Sequence, residues 1–180
     1  AVSSWRNSFL STASSQVHIA TARAGNVIGG GDWAENRIVP DMIRSLSNGE
    51  VIPVRNPDAV RPWQHVLEPL GGYISLAEQL YDNRTHELKS AFNFGPFSES
   101  IKTVQQLVDE GLKHWQGKWE NHTPAFAPHE ARILSLTTDK ARSLLGWSPR
   151  WTFNRTVAST IPWYKQVMTN EISAKKCCLQ

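Results

Sequence analysis

The sequence predicts an α/β protein whose C-terminal end is helical. Short apolar runs that end in glycine or proline alternate along the chain with longer segments whose apolar residues recur at helical spacing. Hydrophobic residues make up 40% of the chain and charged residues 19%, which is typical of a globular protein. The 180 residues suffice for one domain or for part of a larger one.

Charge and cysteine content exclude several classes of function. The net charge is +3, but the 19 lysines and arginines form no basic stripe among aromatic residues, so we expect no nucleic-acid partner. No apolar run approaches the ~18 residues of a membrane span, and no secretory signal is present. The two cysteines are adjacent, which excludes a disulfide framework. We therefore expect a cytoplasmic protein with no membrane partner, and the small positive excess suits a small anionic ligand.

The first third of the chain predicts a helix end, a strand and a helix. Trp5 and Phe9 lie on one face of the helix end, and residues 17–28 form a strand candidate that glycines close. A helix begins at Pro40 and ends before Gly49, since proline is favoured in the first turn and glycine just past the last. Its inward residues are Met42, Ile43 and Leu46.

The middle third predicts two short strands on either side of a helix. The strands are residues 51–54 and 91–95, and the helix runs from Glu68 to Tyr81. The apolar stripe that we expect to face the core comprises Leu70, Tyr73, Ile74, Ala77 and Leu80.

A capping box marks the next helix. Thr103 and Gln106 have the spacing of such a box, and apolar residues follow at helical spacing. Residues 132–136 form a strand candidate, after which Thr137 or Thr138 caps another helix.

The C-terminal end predicts one long helix. The preceding helix stops at Gly146, because glycine is favoured just past a helix end. The long helix spans residues 153–168, and Pro162 inside it is expected to kink it or split it. Residues 169–180 form a polar tail.

Three consecutive glycines, Gly29 to Gly31, follow the first strand candidate. A dinucleotide-binding fingerprint needs G-x-G-x-x-G at the start of a helix directly after a strand, whereas the next helix here begins only at Pro40. Two interpretations remain: a flexible turn with no ligand, or a loop whose backbone approaches a ligand closely.

Seven motifs in a fixed order resemble the C-terminal half of the extended short-chain dehydrogenase/reductase family, the NAD-dependent epimerases and dehydratases of nucleotide sugars. The motifs are "RAGNVIGGGDW", "NRIVPD", "VIPVRNP", "RPWQHVLEPLGGYI", "FNFGP", "APHEA" and "LGWSPRW". Within the family, "RPWQHVLEPL" and "PHEA" resemble the branch that acts on CDP-glucose as a 4,6-dehydratase. The resemblance covers residues 1–168.

The resemblance implies the end of a Rossmann-type parallel sheet together with a smaller α/β substrate-binding domain. Residues 1–35 would be a remnant of the NAD-binding domain and residues 36–168 mainly the substrate domain, with 51–95 partly returning to the sheet. The first strands, the phosphate-binding loop and the family's Tyr-x-x-x-Lys pair would lie upstream of Ala1, and no Tyr-x-x-x-Lys occurs in these 180 residues. NAD is therefore expected for the full-length family and not for this chain alone, and no catalytic residue is assigned.

The resemblance also assigns residues to the ligand. Arg61 occupies the place of the diphosphate arginine, which suits a planar, permanently charged fork. Asn26 and Asn93 would contact the phosphate or the sugar, and Ala24 and Asn26 would lie on the nicotinamide side.

A second group is assigned to the nucleotide. Arg37, Ile38 and Val39 match the segment that lines it, and Val54 and Arg55 match the place where relatives pass main chain along the base edge.

Glu130 is assigned to the ribose hydroxyls, and His129 lies beside it. No metal site is expected, because one histidine next to one glutamate lacks the ligand count that zinc needs. We expect four tryptophans to be core or wall residues: Trp33, Trp63, Trp147 and Trp151.

Two functions follow as hypotheses. The first is the sugar-nucleotide-binding portion of a lyase that converts CDP-glucose into a 4-keto-6-deoxy sugar. The second is a truncated, non-catalytic module that binds nucleotide or oligomerises. Because the missing strands would leave apolar sheet faces uncovered, a homo-oligomer is expected.

Overall fold

Helices and strands alternate throughout the computed structural model, which confirms the α/β class. The structure describes residues 1–10, 17–83, 86–125, 132–169 and 173–178. The helices in these ranges are α1 Val2–Phe9, α2 Ile38–Asn48, α3 Leu67–Asn83, α4 Val104–Leu112, α5 Asp139–Leu145, α6 Phe153–Met168 and α7 Ala174–Cys178. The strands are β1 Thr21–Ala24, β2 Asn26–Ile28, β3 Ile52–Val54, β4 Val60–His65, β5 Ala91–Phe94, β6 Ile101–Thr103 and β7 Trp119–Asn121.

The described strands form three small sheets, most of whose pairs are parallel. β1 pairs with β5 and β3 with β7, both parallel, while β4 lies between parallel β2 and antiparallel β6. The single strand predicted over residues 17–28 is therefore two strands in different sheets. They separate at Gly25, where a Cβ would lie 2.8 Å from Cγ of Pro62, so only glycine allows this close approach to β4.

β4 is the central strand that the sequence did not predict. Residues 61–65 are all buried, although Arg61, Pro62 and Gln64 break the apolar alternation of a typical strand. The side chain of Gln64 makes a distant contact, since its Nε2 donates to the carbonyl of Phe94 at 2.9 Å and so links β4 to β5. Pairing between segments far apart in sequence, rather than local preference, makes this segment a strand.

Two apolar clusters form the core. The first packs α2, α4 and α6 over β3, with Met42, Ile43, Ile52, Val108 and Ile161 among its fully buried members. The second packs α3 and α5 against β5, through Leu76, Phe92, Phe94, Ala141 and Leu145.

Local sequence signals correctly predicted where α2 and α5 end and where α4 begins. Gly49 ends α2 and Gly146 ends α5, both with the left-handed backbone (φ +71° and +63°) that favours glycine. Both hydrogen bonds of the capping box of α4 are present, between Thr103 and Gln106 at 3.1 and 2.9 Å. α2 begins at Ile38 rather than Pro40, and Thr138 is the N-cap of α5. The predicted inward residues Met42, Ile43 and Leu46 are buried.

The predicted inward stripe of α3 is partly wrong. Leu70 and Ile74 are 45% and 60% exposed, whereas Leu76 is buried and Gly72 packs directly on the ring of Phe94. Ala77 is also exposed, and Tyr73 and Leu80 are half-buried. The helix turns its Gly72 side to β5, because only a glycine there leaves room for the aromatic ring.

The strand predicted over residues 132–136 is also wrong. Ile133 makes one isolated bridge with Val60, flanked by two backbone hydrogen bonds, and Ile133 and Leu134 are exposed. The apolar pattern therefore belongs to an extended segment that touches β4 at a single position.

α6 is one continuous helix, so Pro162 does not split it. Thr152 caps its first turn by accepting from the N–H of Arg155, and Tyr164 is fully buried near its end. No helix in the described part of the chain is long and apolar enough to cross a membrane.

The two aromatic residues after Pro162 fix the loop of three glycines. The Tyr164 hydroxyl accepts from the N–H of Asp32 at 2.9 Å and lies 3.0 and 2.8 Å from the carbonyls of Gly29 and Asp32. The indole of Trp163 covers Gly30 so closely that a Cβ would overlap it. Gly30 therefore serves packing against α6, which the sequence did not indicate, while Gly29 allows a close approach to Val66.

We predict that Gly30→Ala lowers the free energy of unfolding by about 1–3 kcal/mol, because the added methyl overlaps the half-buried indole of Trp163. Urea denaturation measures the change. Gly71→Ala is the matched control: nothing lies within 4 Å of a Cβ there, and alanine is favoured over glycine inside a helix. Equal stability of the Gly30→Ala variant and the unaltered chain would contradict the close packing.

A buried histidine stands at the end of β4. His65 stacks on Trp151, with ring centroids 4.4 Å apart, and its Nδ1 accepts from the N–H of Leu67 at 3.3 Å. Burial, followed by the nearby Arg155 guanidinium, lowers the pKa of His65 from 6.5 to about 4. The folded protein therefore holds a neutral imidazole at pH 7.

We predict that the free energy of unfolding falls by about 1–3 kcal/mol as the pH is lowered from 6.5 to 4, because the unfolded chain binds the proton of His65 first. His65→Phe keeps an aromatic ring against Trp151 and removes this contribution, so its stability depends less on pH over that range. Urea melts at several pH values test it against His122→Phe, which changes an exposed histidine. The same pH slope in both variants would contradict the neutral imidazole.

Candidate functional site

A cleft of about 1280 Å³ lies where β2, the first turn of α2, the end of β3 and β4 meet. This volume is above the range of about 300–1,000 Å³ that is common for small-molecule sites, so an extended ligand would fit. Its walls are formed by Ala24, Gly25, Asn26, Val27, Ile28, Gly29, Asp32, Asn36, Arg37, Ile38, Val39, Pro40, Asp41, Pro53, Arg55, Asn56, Ala59, Arg61, Trp63, Val104, Thr123, Pro124 and Leu134.

The first wall is the junction between β1 and β2. Ala24 and Asn26 lie on either side of Gly25, where the chain passes from one sheet to the next. Within the described residues the side-chain amide of Asn26 makes no hydrogen bond, so both its donor and its acceptor can serve a ligand.

The second wall is the first turn of α2. Arg37 is the N-cap; its side chain is 66% exposed, with Nη1 3.4 Å from Oδ2 of Asp32. Ile38 and Val39 add an apolar surface to the cleft. No side chain caps the first N–H groups of this helix, and a helix start of this kind favours an anion.

Arg61 is a buried cation on β4. The residue is 7% exposed, and its Nη1 donates to the carbonyl of Val60 at 2.9 Å and lies 3.5 Å from that of Arg132. Burying a guanidinium is costly unless its donors are used. The two carbonyls hold the planar group in one orientation at the wall of the cleft, where a bidentate anion would suit it.

A network of charged groups joins the end of β3 to α2. Arg55 donates from Nη1 to Oδ1 of Asn36 at 2.8 Å and from Nη2 to Oδ2 of Asp41 at 3.2 Å. Arg44 holds the other carboxylate oxygen of Asp41 at 2.6 Å and also donates to the carbonyls of Trp33 and Ala34. The loop between the glycines and α2 is thereby tied to the end of β3.

The cleft brings together most of the residues that the resemblance assigned. Ala24, Asn26, Arg37, Ile38, Val39, Arg55 and Arg61 all line it. The side chain of Val54 is fully buried in the core instead. Asn93 lies outside the cleft, because its Oδ1 accepts from Nε of Arg23 at 3.0 Å and its Nδ2 donates to the carbonyl of Thr137 at 3.2 Å. His129 and Glu130 lie outside the described residues.

Several polar cleft residues were missed. Asp41 gave no site signal, because an acidic residue in the first turn is an ordinary helix feature. Asn36 offered a weak one, since an asparagine before a helix often adopts left-handed backbone, and here its φ is +63°.

The prediction that the four tryptophans are core or wall residues holds for Trp63 and Trp147 but is wrong for Trp33, which is 44% exposed. Trp63 is 3% exposed and belongs to both the core and the cleft wall. Trp33 and Trp147 pack edge-on against Tyr164 and Phe94, whereas the ring of Trp151 is tilted by 31° from that of His65.

Parts of the glycine loop are already engaged by α6. Trp163 covers Gly30, and the Tyr164 hydroxyl accepts from the N–H of Asp32. The two positions that the resemblance assigned to the nicotinamide side, Ala24 and Asn26, line the cleft. No group of three or more potential metal ligands occurs in the described ranges.

Comparison with known proteins identifies the family. The chain is 44% identical to CDP-glucose 4,6-dehydratase of Salmonella typhimurium, over 94% of this chain and 48% of that protein. It is 26% identical to a dTDP-glucose 4,6-dehydratase of Escherichia coli, over 71% of this chain and 36% of that protein. The chain belongs to the extended short-chain dehydrogenase/reductase family. No protein-family model matches it.

Solved structures agree on the fold. UDP-glucuronic acid 4-epimerase of Bacillus cereus superposes with a TM-score of 0.74 at 14% identity, covering 92% of this chain and 49% of that chain. UDP-glucose 4-epimerase of Stenotrophomonas maltophila gives 0.71 at 18% identity, covering 95% and 54%. The chain spans about half the length of the curated relatives it matches, and it corresponds to the C-terminal part of the family structures.

Proposed function

We propose that the chain is the nucleotide-sugar-binding part of an enzyme of the CDP-glucose 4,6-dehydratase type. The observation that carries the proposal is the buried guanidinium of Arg61 at the wall of a large cleft, next to the uncapped start of α2. A diphosphate carries two negative charges, and these are the groups that stabilise it. The 44% identity to CDP-glucose 4,6-dehydratase supports CDP-glucose among nucleotide sugars.

The cleft residues would divide the ligand between them. Arg61 would hold the diphosphate through its fork, and Arg37 would add a second charge at the start of α2. Asn26 would bind a hydroxyl or phosphate oxygen with its amide, while Ile38 and Val39 would exclude water from the apolar parts of the nucleotide.

Binding and orientation are the roles that we assign to these residues. In a complete enzyme of this type NAD supplies the hydride chemistry. The sequence contains no Tyr-x-x-x-Lys pair, and we assign no general base to this chain. We also propose that this chain alone binds no NAD, since its glycine loop is occupied by α6.

We predict that Arg61→Lys weakens CDP binding nearly as much as Arg61→Ala, by roughly ten- to a hundredfold, because a point charge cannot replace the bidentate fork. Titration calorimetry measures the affinities. The matched control is Arg142→Ala, which removes an exposed arginine of α5 outside the cleft. CDP affinity that is indifferent to position 61 would contradict the proposed site.

Self-association is a second proposal, and the uncovered face of α3 supports it. Leu67, Leu70, Ile74 and Tyr81 recur at helical spacing on this face and are 57%, 45%, 60% and 78% exposed. Contiguous exposed apolar patches mark interaction surfaces more often than surfaces that stay in contact with solvent. The oligomerising module that the sequence left as an alternative would use the same face.

We predict that light scattering at micromolar concentration gives at least twice the chain mass of 20.2 kDa. Ile74→Lys should shift the protein toward monomer, because it places a charge in the centre of the apolar face. Glu50→Lys introduces a lysine at an exposed position outside α3 and is the matched control. A monomeric unaltered chain would contradict self-association.

A further inference from the structure

Two carboxylates line the cleft, and they differ in how firmly they are paired. Asp41 is held on both of its oxygens, by Arg44 at 2.6 Å and by Arg55 at 3.2 Å. Asp32 lies between the end of β2 and the start of α2, and within the described residues it has one cationic partner, Arg37, at 3.4 Å. Asp32 is therefore the carboxylate whose negative charge is less offset.

The position of the Asp32 carboxylate is fixed by the backbone around it. The Tyr164 hydroxyl accepts from the N–H of Asp32 at 2.9 Å and lies 2.8 Å from its carbonyl. The Oδ1 of Asp32 accepts from the N–H of Ala34 at 3.0 Å, and the side chain is 36% exposed. An anion that enters the cleft therefore meets a negative charge whose orientation these contacts hold.

Arg37 brings the anionic part of a ligand to this carboxylate. Its side chain is 66% exposed at the N-cap of α2, and the proposed function assigns it to the diphosphate. A phosphate that pairs with Arg37 lies close to Asp32, because the two side chains are already in contact. When the phosphate takes Arg37, Oδ2 of Asp32 loses this donor and is free to accept a hydrogen bond from the ligand.

Nucleoside diphosphates and nucleotide sugars differ at this phosphate. The terminal phosphate of a nucleoside diphosphate is a monoester, which carries nearly two negative charges at pH 7 because its second pKa is about 6. In a nucleotide sugar the same phosphorus is esterified to the sugar, so it keeps one charge and is followed by uncharged hydroxyl groups. A carboxylate repels the additional charge, whereas its oxygen accepts a hydrogen bond from a hydroxyl.

We propose that Asp32 selects nucleotide sugars against nucleoside diphosphates, by repelling a free terminal phosphate and by accepting from a sugar hydroxyl. This inference rests on the proposed function, because it adds a specificity-determining residue to the same cleft. Asp41 does not share the role, since both of its oxygens are paired with arginines. Asp32 would keep the site available to CDP-glucose in the presence of CDP, which shares the nucleoside and the diphosphate with it.

The experiment measures the CDP-glucose and CDP affinities of the 180-residue chain by titration calorimetry. We expect the unaltered chain to bind CDP-glucose more tightly than CDP. Asp32→Asn should lower this preference about fivefold, mainly by strengthening CDP binding, because a unit charge about 4 Å away in water changes affinity by about that factor. Release of Arg37 helps both ligands, since both carry phosphates, so the ratio of the two affinities isolates the charge of the terminal phosphate.

Asp32→Ala separates the charge from the structure of the loop. This variant removes the contact with Ala34 as well, which Asp32→Asn can keep through its amide oxygen. A loop that loses its structure would weaken both ligands and leave their ratio unchanged, whereas loss of the charge lowers the ratio in both variants. Thermal melts confirm that each variant is folded.

Glu35→Gln is the matched control, because it removes the same charge from an exposed residue of the same loop that does not line the cleft. It should leave the preference for CDP-glucose unchanged. Equal affinity of the unaltered chain for both ligands, an unchanged preference in the Asp32 variants, or an equal drop in Glu35→Gln overturns the role of Asp32 but leaves the nucleotide site standing. If the unaltered chain binds neither ligand, both proposals are overturned.

Discussion

The contact between the Tyr164 hydroxyl and the glycine loop supports the rest of the cleft. Burial raises the pKa of Tyr164 to about 12, so the hydroxyl keeps its proton and can serve the loop both as donor and as acceptor. It joins α6 to the Gly29 and Asp32 backbone, at the point where β2 ends and the chain turns toward α2. The anchor holds the start of the polar loop that supplies Asn36 and Arg37 to the cleft wall, and Arg44 and Arg55 hold the rest of it.

The same contact explains why the glycine pattern resembles a nucleotide loop and does not act as one. Gly30 is required because Trp163 lies on it, and Gly31 adopts φ +92°. Gly29 is the one member of the triplet that lines the cleft. A run of glycines indicates only that these backbone positions leave no room for a side chain. It does not say whether a ligand or an indole takes the space, and here the indole comes from a helix more than 130 residues further along the chain.

Sequence reasoning succeeded where the determining interaction is local and failed where it is distant. The capping box at Thr103 and the left-handed Gly49 are fixed by neighbours within a few residues, so their patterns suffice. β4 was missed because its buried Gln64 donates to a carbonyl 30 residues away, which no local pattern indicates. In the site, the resemblance assigned Arg61 and Arg37 to the ligand, and both line the cleft. It could not exclude Asn93, whose amide is taken up by Arg23 across the pair of β1 and β5.

The arginines of the cleft differ in how freely they can meet a ligand. Arg37 is largely exposed and 3.4 Å from Asp32, and an exposed pair of this kind contributes little, so a phosphate can replace the carboxylate at small cost. Arg55 is bound by two partners, one of which is itself fixed by Arg44, so its geometry is set before any ligand arrives. Preorganised donors discriminate between ligands better than mobile ones, because a mismatched edge cannot be accommodated by rotation. Arg37 can therefore turn toward an anion, whereas Arg55 keeps the orientation that Asn36 and Asp41 give it.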